Sequence, residues 1–452
     1  MQATVSFQAT VPFQATVSMI TLGCRVNQYE SDAIGEKLQS MGFTLVQPGE
    51  KADLTIVNTC TVTAESDRKS RQMIRRAAGE GSIVLVTGCF SQVAAEEVAQ
   101  IPGVAYVCGN GEKSALPQIA LDLVEGRTPN KAAVTDLQTA PYDPLFRSTT
   151  KRYRTFIKIE DGCENHCAYC IIPKARGRVR SRDKASILEE AATLARVGSP
   201  EVILTGIETA SYGMENRGGD RLPYGMALAE LLAEVDAVPG IQRIGLGSLE
   251  PSVMSAPFVE KLAALDHLLP HFHLSIQSGS SGVLRRMRRR YTAEMALAAM
   301  ERLRETIPAV TFSADVIVGF PGETEAEVQE TIAFVQAARF MHLHLFPYSI
   351  REGTEAATMP DQIPAQIKKE RLKQLEEVQA TLRRSLLDSY VDEHQREPVY
   401  VLVEQQNGDV ANGHSEHYVE VDIETDKDLT GQIVPVVLTG HDGVVCRGRV
   451  QA

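Results

Sequence analysis

Asp161–Pro173 reads DGCENHCAYCIIP, three cysteines in the spacing C-x3-C-x2-C with no fourth nearby. Thiolate sites usually come in fours, around zinc or an iron–sulfur cluster. A structural site closes its coordination sphere, whereas a reactive metal keeps one position open. The short set therefore points to a centre that holds a place for a small molecule. The alternative is a zinc knuckle completed by His166 or a distant residue. What precedes and follows the stretch decides the fold. FIKIED runs into it, and EVILTGI, RIGLGS, FHLSIQS, FSADVIVG and HLHLFPYS follow, each apolar and separated by helical stretches. Six β/α units in roughly 200 residues predict a partial barrel, because eight units take about 250. The cysteines would then lie at the carboxyl edge of the first strand, where barrel enzymes place their chemistry.

Upstream, VSMITL, LTIVN and SIVLVTG read as buried strands, with helices around Tyr29–Met41 and Ala64–Ala78. This alternation predicts a small parallel α/β sheet. Each of the three strands is followed almost at once by a cysteine: Cys24, Cys60 and Cys89. The carboxyl ends of parallel strands share one edge, so these three distant residues can converge on one point. The imperfect QATV repeat that opens the chain alternates as a strand extension would, but reads as a duplicated or mis-started N-terminus without chemistry. The polar stretch from Lys131 to Thr150, with Pro141 and Pro144, reads as a linker.

After the barrel, Ala365 to Val391 is a charged helix, and VYVLVE, HYVEVDI, QIVPVVL and VVCRGRV predict a small β-barrel. The expected class is thus α/β in three domains: 1–145 with a parallel sheet, 146–385 with the partial (β/α)6 barrel and connector helix, and 386–452 with the β-barrel.

The 452 residues are 43% hydrophobic and 23% charged, ordinary values for a globular protein. No run of eighteen apolar residues and no signal peptide stands out, so a cytoplasmic location without membrane attachment is expected. Eight cysteines in a reducing compartment point to metal ligands or catalytic thiols rather than disulfides. Cys108 and Cys446 belong to no motif and read as buried apolar residues. His342 and His344 alternate on a strand and share a face.

The cysteine pattern with an aromatic before its last member, Tyr169, resembles the radical S-adenosylmethionine signature. TLGCRVNQYES, VNTCTVTAESD and TGCFSQ resemble the first domain of the methylthiotransferases within that superfamily. IQSGS, DVIVGFPGETE and FPYSIREGT resemble their radical domain, and the closing segment resembles the RNA-binding TRAM barrel. GCRVNQYE and RRRYT are most similar to the type acting on tRNA threonylcarbamoyladenosine.

The resemblance implies two [4Fe–4S] clusters. Cys163, Cys167 and Cys170 would hold the one that S-adenosylmethionine caps and from which a 5′-deoxyadenosyl radical is released. Cys24, Cys60 and Cys89 would hold an auxiliary cluster that presents or supplies sulfur, and a second S-adenosylmethionine would give the methyl group. No side-chain acid or base is expected, because the target C2–H is unactivated and the cofactors carry the chemistry. Residues carried over for cofactor binding are Tyr169, Gly206, Ser248, Glu250, Ser275, Gln277, Arg289 and Asp315. Implied partners are tRNA, an electron donor such as flavodoxin or ferredoxin, and a sulfur source. Isopentenyladenosine tRNA and a ribosomal-protein aspartate are the alternative substrates. A non-catalytic zinc-containing RNA-binding protein and a redox carrier are the alternatives of other classes.

Basic runs suit a nucleic-acid partner. KARGRVRSRDK, extended, would put Lys174, Arg176, Arg178, Arg180, Arg182 and Lys184 on one side, and Arg286 lies in a second run, RRMRRR. DRKSRQMIRR adds a third run after Cys60. The net charge of −12 runs against this, and residues 388–452 alone hold thirteen acidic and four basic residues, a net −9. An acidic barrel gains little from counterion release, so its contact with RNA is left open between Arg447 with Arg449 and a minor contribution.

Overall fold

The computed structural model describes residues 15–127, 132–150, 152–215 and 222–451. It comprises two compact units, one ending at Phe146 and the other beginning at Arg147. The first fourteen residues, most of the QATV repeat, lie outside the described residues. No helix among the described residues is long and apolar enough to cross a membrane.

In the first unit, strands β1 (Thr16–Thr21), β2 (Thr44–Val46), β3 (Leu54–Thr59), β4 (Ile83–Gly88), β5 (Val104–Cys108) and β6 (Ala132–Ala133) form one sheet in the order β2-β1-β3-β4-β5-β6. Neighbouring strands are parallel throughout. Helices α1 (Arg25–Ser40), α2 (Ala64–Gly79), α3 (Cys89–Val93), α4 (Ala95–Ala99) and α5 (Leu116–Val124) connect them. Every residue of β3 is buried, as a strand covered on both faces requires. α2 starts where Thr63 accepts a hydrogen bond from the Ser66 amide, with Glu65 and Asp67 complementing the helix dipole. The stretch read as a linker packs onto this unit instead. Leu137, Ala140 and Leu145 are buried, and the Tyr29 hydroxyl donates to the Leu145 carbonyl at 2.9 Å. Its scattered apolar residues outweigh its two prolines.

The second unit carries strands β7 (Arg154–Lys158), β8 (Glu160–Asp161), β9 (Arg180–Ser181), β10 (Glu201–Thr205), β11 (Arg243–Leu246), β12 (His271–Gln277), β13 (Thr311–Val318) and β14 (His342–Pro347). Between them run α6 (Ile172–Arg176), α7 (Lys184–Arg196), α8 (Met226–Asp236), α9 (Ala256–Ala263), α10 (Ser281–Arg286), α11 (Ala293–Thr306) and α12 (Glu325–Ala338). Two three-stranded parallel sheets, β7-β10-β11 and β12-β13-β14, are joined through the bridges Ile244–Leu268 and Leu249–Leu274. Six parallel strands in chain order make the expected partial barrel. Leu274, Val316 and Leu343 pack outward into the helices' core. His273, Ser313, Asp315 and His344 share the inner face: His273 bonds Ser313 and Asp315, and its ring lies 5.4 Å from that of His344.

Helix α13 (Ala365–Glu393) leads to a closed barrel of β15 (Val399–Asn407), β16 (Val410–Ser415), β17 (Glu420–Glu424), β18 (Ile433–His441) and β19 (Cys446–Val450). The sequence pattern shows four of these strands. It hides β16, whose Asn412 and Gly413 are poor strand formers. Gly413 is needed there, since a Cβ would overlap the Leu402 backbone of β15. Cys446 is buried in the barrel core, as expected of a cysteine without a motif.

The barrel is fastened to the amino ends of the six strands. Arg154 pairs with Glu201 and reaches Glu404 at 3.5 Å, while its guanidinium lies over the Tyr418 ring. His271 stacks on the same ring at 4.9 Å. Thr311 donates to the His417 carbonyl at 2.8 Å. The opposite, carboxyl edge of the strands carries the cysteine loop.

The imidazole of His417, 3.0 Å from the Tyr390 hydroxyl, is pushed down to about 4 by burial, helped by the charges of His394 and Arg243. The unfolded chain therefore binds more protons between its ordinary value and about 4, and stability falls as pH falls through that window. Guanidinium titrations at pH 7.5 and 5.5 are expected to show a loss of about 1.4 kcal/mol from this group, absent in His417→Gln. An equal pH slope in both proteins would show that His417 contributes none of it.

Candidate active site

The loop after β7 is clamped before its first cysteine. β8 pairs antiparallel with β9, and the Cys163 amide donates to the Gly177 carbonyl at 3.0 Å. Gly162 sits at φ +91°, where a Cβ would overlap the Arg178 carbonyl, so only glycine lets the two segments approach. Asp161 is buried between Lys158 at 2.7 Å, Arg176 at 3.2 Å and Arg180 at 3.5 Å.

Cys163, Cys167 and Cys170 are partly exposed on this loop. Burial raises the Cys163 thiol, with the Glu208 charge adding to it, and pushes Cys170 up to about 12. Such thiols are poor nucleophiles on their own. A bound cation reverses the balance, because a coordinating thiol is deprotonated outright. Two donors already point at the sulfurs: Arg289 Nη1 lies 3.2 Å from Cys167 Sγ, and the Asn165 amide 3.4 Å from Cys163 Sγ.

A cavity of about 320 Å³ opens beside them, lined by Asn165, His166, Cys167, Glu250, Arg289 and Arg290 among others. Glu250 is buried, its Oε2 held by Asn165 at 3.2 Å and Arg290 at 3.3 Å, while its Oε1 has no hydrogen-bond partner. An orphaned carboxylate oxygen, three thiols on one loop and a cavity of this size fit a cluster with a small cationic cofactor.

The other carried-over residues occupy distinct places. Tyr169 is edge-on to Phe320, with ring centroids 6.4 Å apart. Gly206, at the end of β10, has room for no side chain because a Cβ would strike the Glu160 carboxylate. Ser248 is exposed just beyond β11. The Ser275 carbonyl accepts from Arg289 and Tyr291. Gln277 has φ +66° at a register shift between β12 and β13. Asp315 lies further along the inner face and pairs with His273 at 3.1 Å.

Asn165, which lines the cavity, and Glu208, Tyr224 and Glu160 bonded in series behind it escaped the sequence reading. Asn165 bridges Glu250 and Glu208, reaching the latter at 3.3 Å. Tyr224 donates to Glu208 at 3.0 Å, and burial with the Glu250 charge pushes the Glu208 carboxyl up to about 7. Glu160 is fully buried and accepts from the Glu208 amide at 2.6 Å. Their signal was position alone: Glu208 follows a strand by three residues at the carboxyl edge.

The cation track is corrected. KARGRVRSRDK is not extended: it forms α6, a turn at Gly177 and then β9. Arg176, Arg180 and Arg182 are buried, the first two on Asp161 and the third on Glu190. They hold the loop and do not face solvent. Lys174 and Arg178 are exposed, with Lys174 Nζ donating to the Gly353 carbonyl. Arg286 is bound by both oxygens of Glu327 at 2.9 Å. In α2, Arg68, Lys69, Arg71 and Arg76 pair with glutamates, which leaves that run largely neutralised.

In the first unit, Cys24 precedes α1, Cys60 follows β3 and Cys89 opens α3 after β4. They converge: the Cys24 and Cys89 charges both raise Cys60, which burial chiefly pushes up to about 11. A Cβ on Gly23 would lie 2.8 Å from Cys60 Sγ, so that glycine leaves room at the sulfur. Asn110 Nδ2 lies 3.7 Å from Cys89 Sγ. Among the described residues, no group of three or more His, Cys, Asp or Glu could hold a single metal ion as placed. The donor chemistry of an all-thiol trio with a neighbouring amide donor nonetheless suits an iron–sulfur cluster.

Residues 157–335 match the Radical SAM superfamily, and residues 16–109 match Uncharacterized protein family UPF0004. The chain is 37% identical to the threonylcarbamoyladenosine tRNA methylthiotransferase MtaB of Bacillus subtilis, over 93% of each protein. It is 34% identical to the tRNA-2-methylthio-N(6)-dimethylallyladenosine synthase of Moorella thermoacetica, over 96% of this chain and 97% of that one. Among solved structures, the radical S-adenosylmethionine methyltransferase TsrM of Kitasatospora setae aligns with a TM-score of 0.54 at 16% identity, covering 74% of this chain and 72% of that one. That likeness concerns the fold alone.

Asp161→Asn removes the carboxylate from among three buried cations. Breaking such a group is expected to cost roughly 3–5 kcal/mol in denaturant unfolding of the purified protein. A loss below about 1 kcal/mol would mean that the loop is held by β8–β9 pairing without the ions.

Proposed function

The chain belongs to the radical S-adenosylmethionine methylthiotransferase family, and from that premise we propose that it methylthiolates C2 of N6-threonylcarbamoyladenosine next to the anticodon of tRNA. The observation that carries this reading is the all-thiol trio on one clamped loop at the carboxyl edge of six parallel strands, beside a cavity lined by the buried carboxylate of Glu250. The choice of nucleoside is supported by the motifs around Cys24 and Arg289 and by the name of the Bacillus subtilis relative. The carboxylate of the threonyl group also suits the exposed guanidinium of Arg290.

Cys163, Cys167 and Cys170 would hold the radical cluster. With S-adenosylmethionine, such a group supplies one-electron chemistry able to break an unactivated C–H bond. Arg289 presents an N–H and a positive charge to the Cys167 sulfur, which favours the more electron-rich state of whatever that sulfur binds. Glu250, oriented by Asn165 and Arg290 in the cavity wall, would set its carboxylate charge against an ammonium group of the cofactor. Tyr169 with Phe320 and Tyr348 forms an apolar wall that keeps water from the loop. Ser248, Ser275, Gln277 and Asp315 would meet the remaining polar groups of the cofactor. In the first unit Cys24, Cys60 and Cys89 would hold the second cluster, where sulfur is presented. A flavodoxin or ferredoxin would deliver electrons, and an external sulfide source would restore the sulfur. Lys174 and Arg178 would contact the RNA backbone.

Anaerobically reconstituted protein with S-adenosylmethionine, reductant and either threonylcarbamoylated or isopentenylated tRNA tests this reading. Mass spectrometry of the nucleosides is expected to show 2-methylthio-N6-threonylcarbamoyladenosine from the first and no methylthio product from the second. Product from the isopentenylated tRNA alone would reassign the substrate.

A further inference from the structure

The inner face of β14 ends in an aromatic ring that the protein leaves uncovered. Leu343 and Leu345 pack outward against the helices, whereas His342, His344 and Phe346 alternate onto the other face. The two histidine rings meet edge-on at 4.6 Å, and His344 meets His273 of β12, which fixes that face as the inside of the partial barrel. Phe346 continues the row to the carboxyl edge, where it is 46% exposed; Ile350, just beyond it, is 51% exposed. Neither belongs to the cores below them. Phe346 is paired in the sheet with Ile317, and Ile317 packs against the group that contains Tyr169, between the second and third cysteines of the radical loop. The uncovered ring thus stands within one side chain of the wall of the cysteine site.

Cations flank it. Lys174 donates to the Gly353 carbonyl, and Arg288 pairs with Glu355 at 2.7 Å while staying half exposed. An exposed ring with an exposed aliphatic neighbour, on a segment that two basic side chains from elsewhere in the fold touch further along, is a composition suited to an unstacked single-stranded base, the ring against its face and the cations on the phosphates.

We propose that Phe346 is the stacking platform for a nucleobase of the anticodon loop, holding it at the mouth of the partial barrel beside the radical loop. The inference rests on the tRNA reading above and adds the residue that grips the base. A stacked base contributes about 1–3 kcal/mol, which corresponds to roughly 5- to 150-fold in affinity.

The full chain, anaerobically reconstituted, is titrated into a fluorescent anticodon stem-loop carrying N6-threonylcarbamoyladenosine, at several salt concentrations. Phe346→Ala and Phe346→Leu are each expected to weaken binding about tenfold with an unchanged salt slope, while Phe346→Tyr stays within about twofold of wild type. Lys174→Gln and Arg288→Gln are expected to lower the salt slope instead. Equilibrium dialysis with S-adenosylmethionine is expected to give the wild-type affinity for Phe346→Ala, and thermal melts the wild-type midpoint. Stem-loop binding by Phe346→Ala within about twofold of wild type overturns the proposal. So does restoration by leucine, which has bulk without a π face, or a loss confined to S-adenosylmethionine, which would make the cofactor's adenine the occupant. Failure of wild type to bind the stem-loop would instead sink the tRNA reading itself.

Discussion

The molecule depends on a geometric property of parallel sheets: the carboxyl ends of all their strands lie on one edge. In the first unit that property gathers Cys24, Cys60 and Cys89 from positions spread over three β/α connections, and the Gly23 backbone leaves space at the Cys60 sulfur. In the second it presents three cysteines of one loop beside the ends of five other strands. Burial holds Cys60, Cys163 and Cys170 above their ordinary range, which suits ligands that give up their protons to a metal rather than thiols that attack a substrate.

A loop that presents three cysteines must be held rigid by something other than its ligand. The β8–β9 pairing, Gly162 and the buried Asp161 group do so here. At the other end of the strands, Arg154, Arg243 and Tyr418 fasten the C-terminal barrel. Arg243 pairs with Glu201 and donates to the Tyr400 and His414 carbonyls. The net negative charge of that barrel is compatible with such a role, since part of its acidic surface answers arginines of the neighbouring strands.

The α/β class, the six-unit series and the closing barrel were legible because apolar runs punctuated by turns record strands directly. So was the strand-end position of Cys24, Cys60 and Cys89, because it follows from the strand pattern. The cation track was not legible. Arg176 and Arg178 stand two residues apart, yet one is buried on Asp161 and the other faces solvent, and only the turn at Gly177 separates those fates. Asn165, Glu160 and Glu208 were missed for a related reason: a single carboxylate or amide acquires meaning from residues more than forty positions away. β16 escaped because Gly413 is there for the close approach of Leu402, a tertiary demand that no periodicity shows.

The most direct test counts iron and acid-labile sulfide in anaerobically reconstituted protein, for wild type and for two triple variants. Wild type is expected to hold about eight irons, and replacing either Cys24, Cys60 and Cys89 or Cys163, Cys167 and Cys170 by alanine is expected to leave about four, still as a cubane by Mössbauer spectroscopy. Stoichiometric zinc, or loss of all iron when one trio alone is removed from a folded chain, would contradict two independent centres.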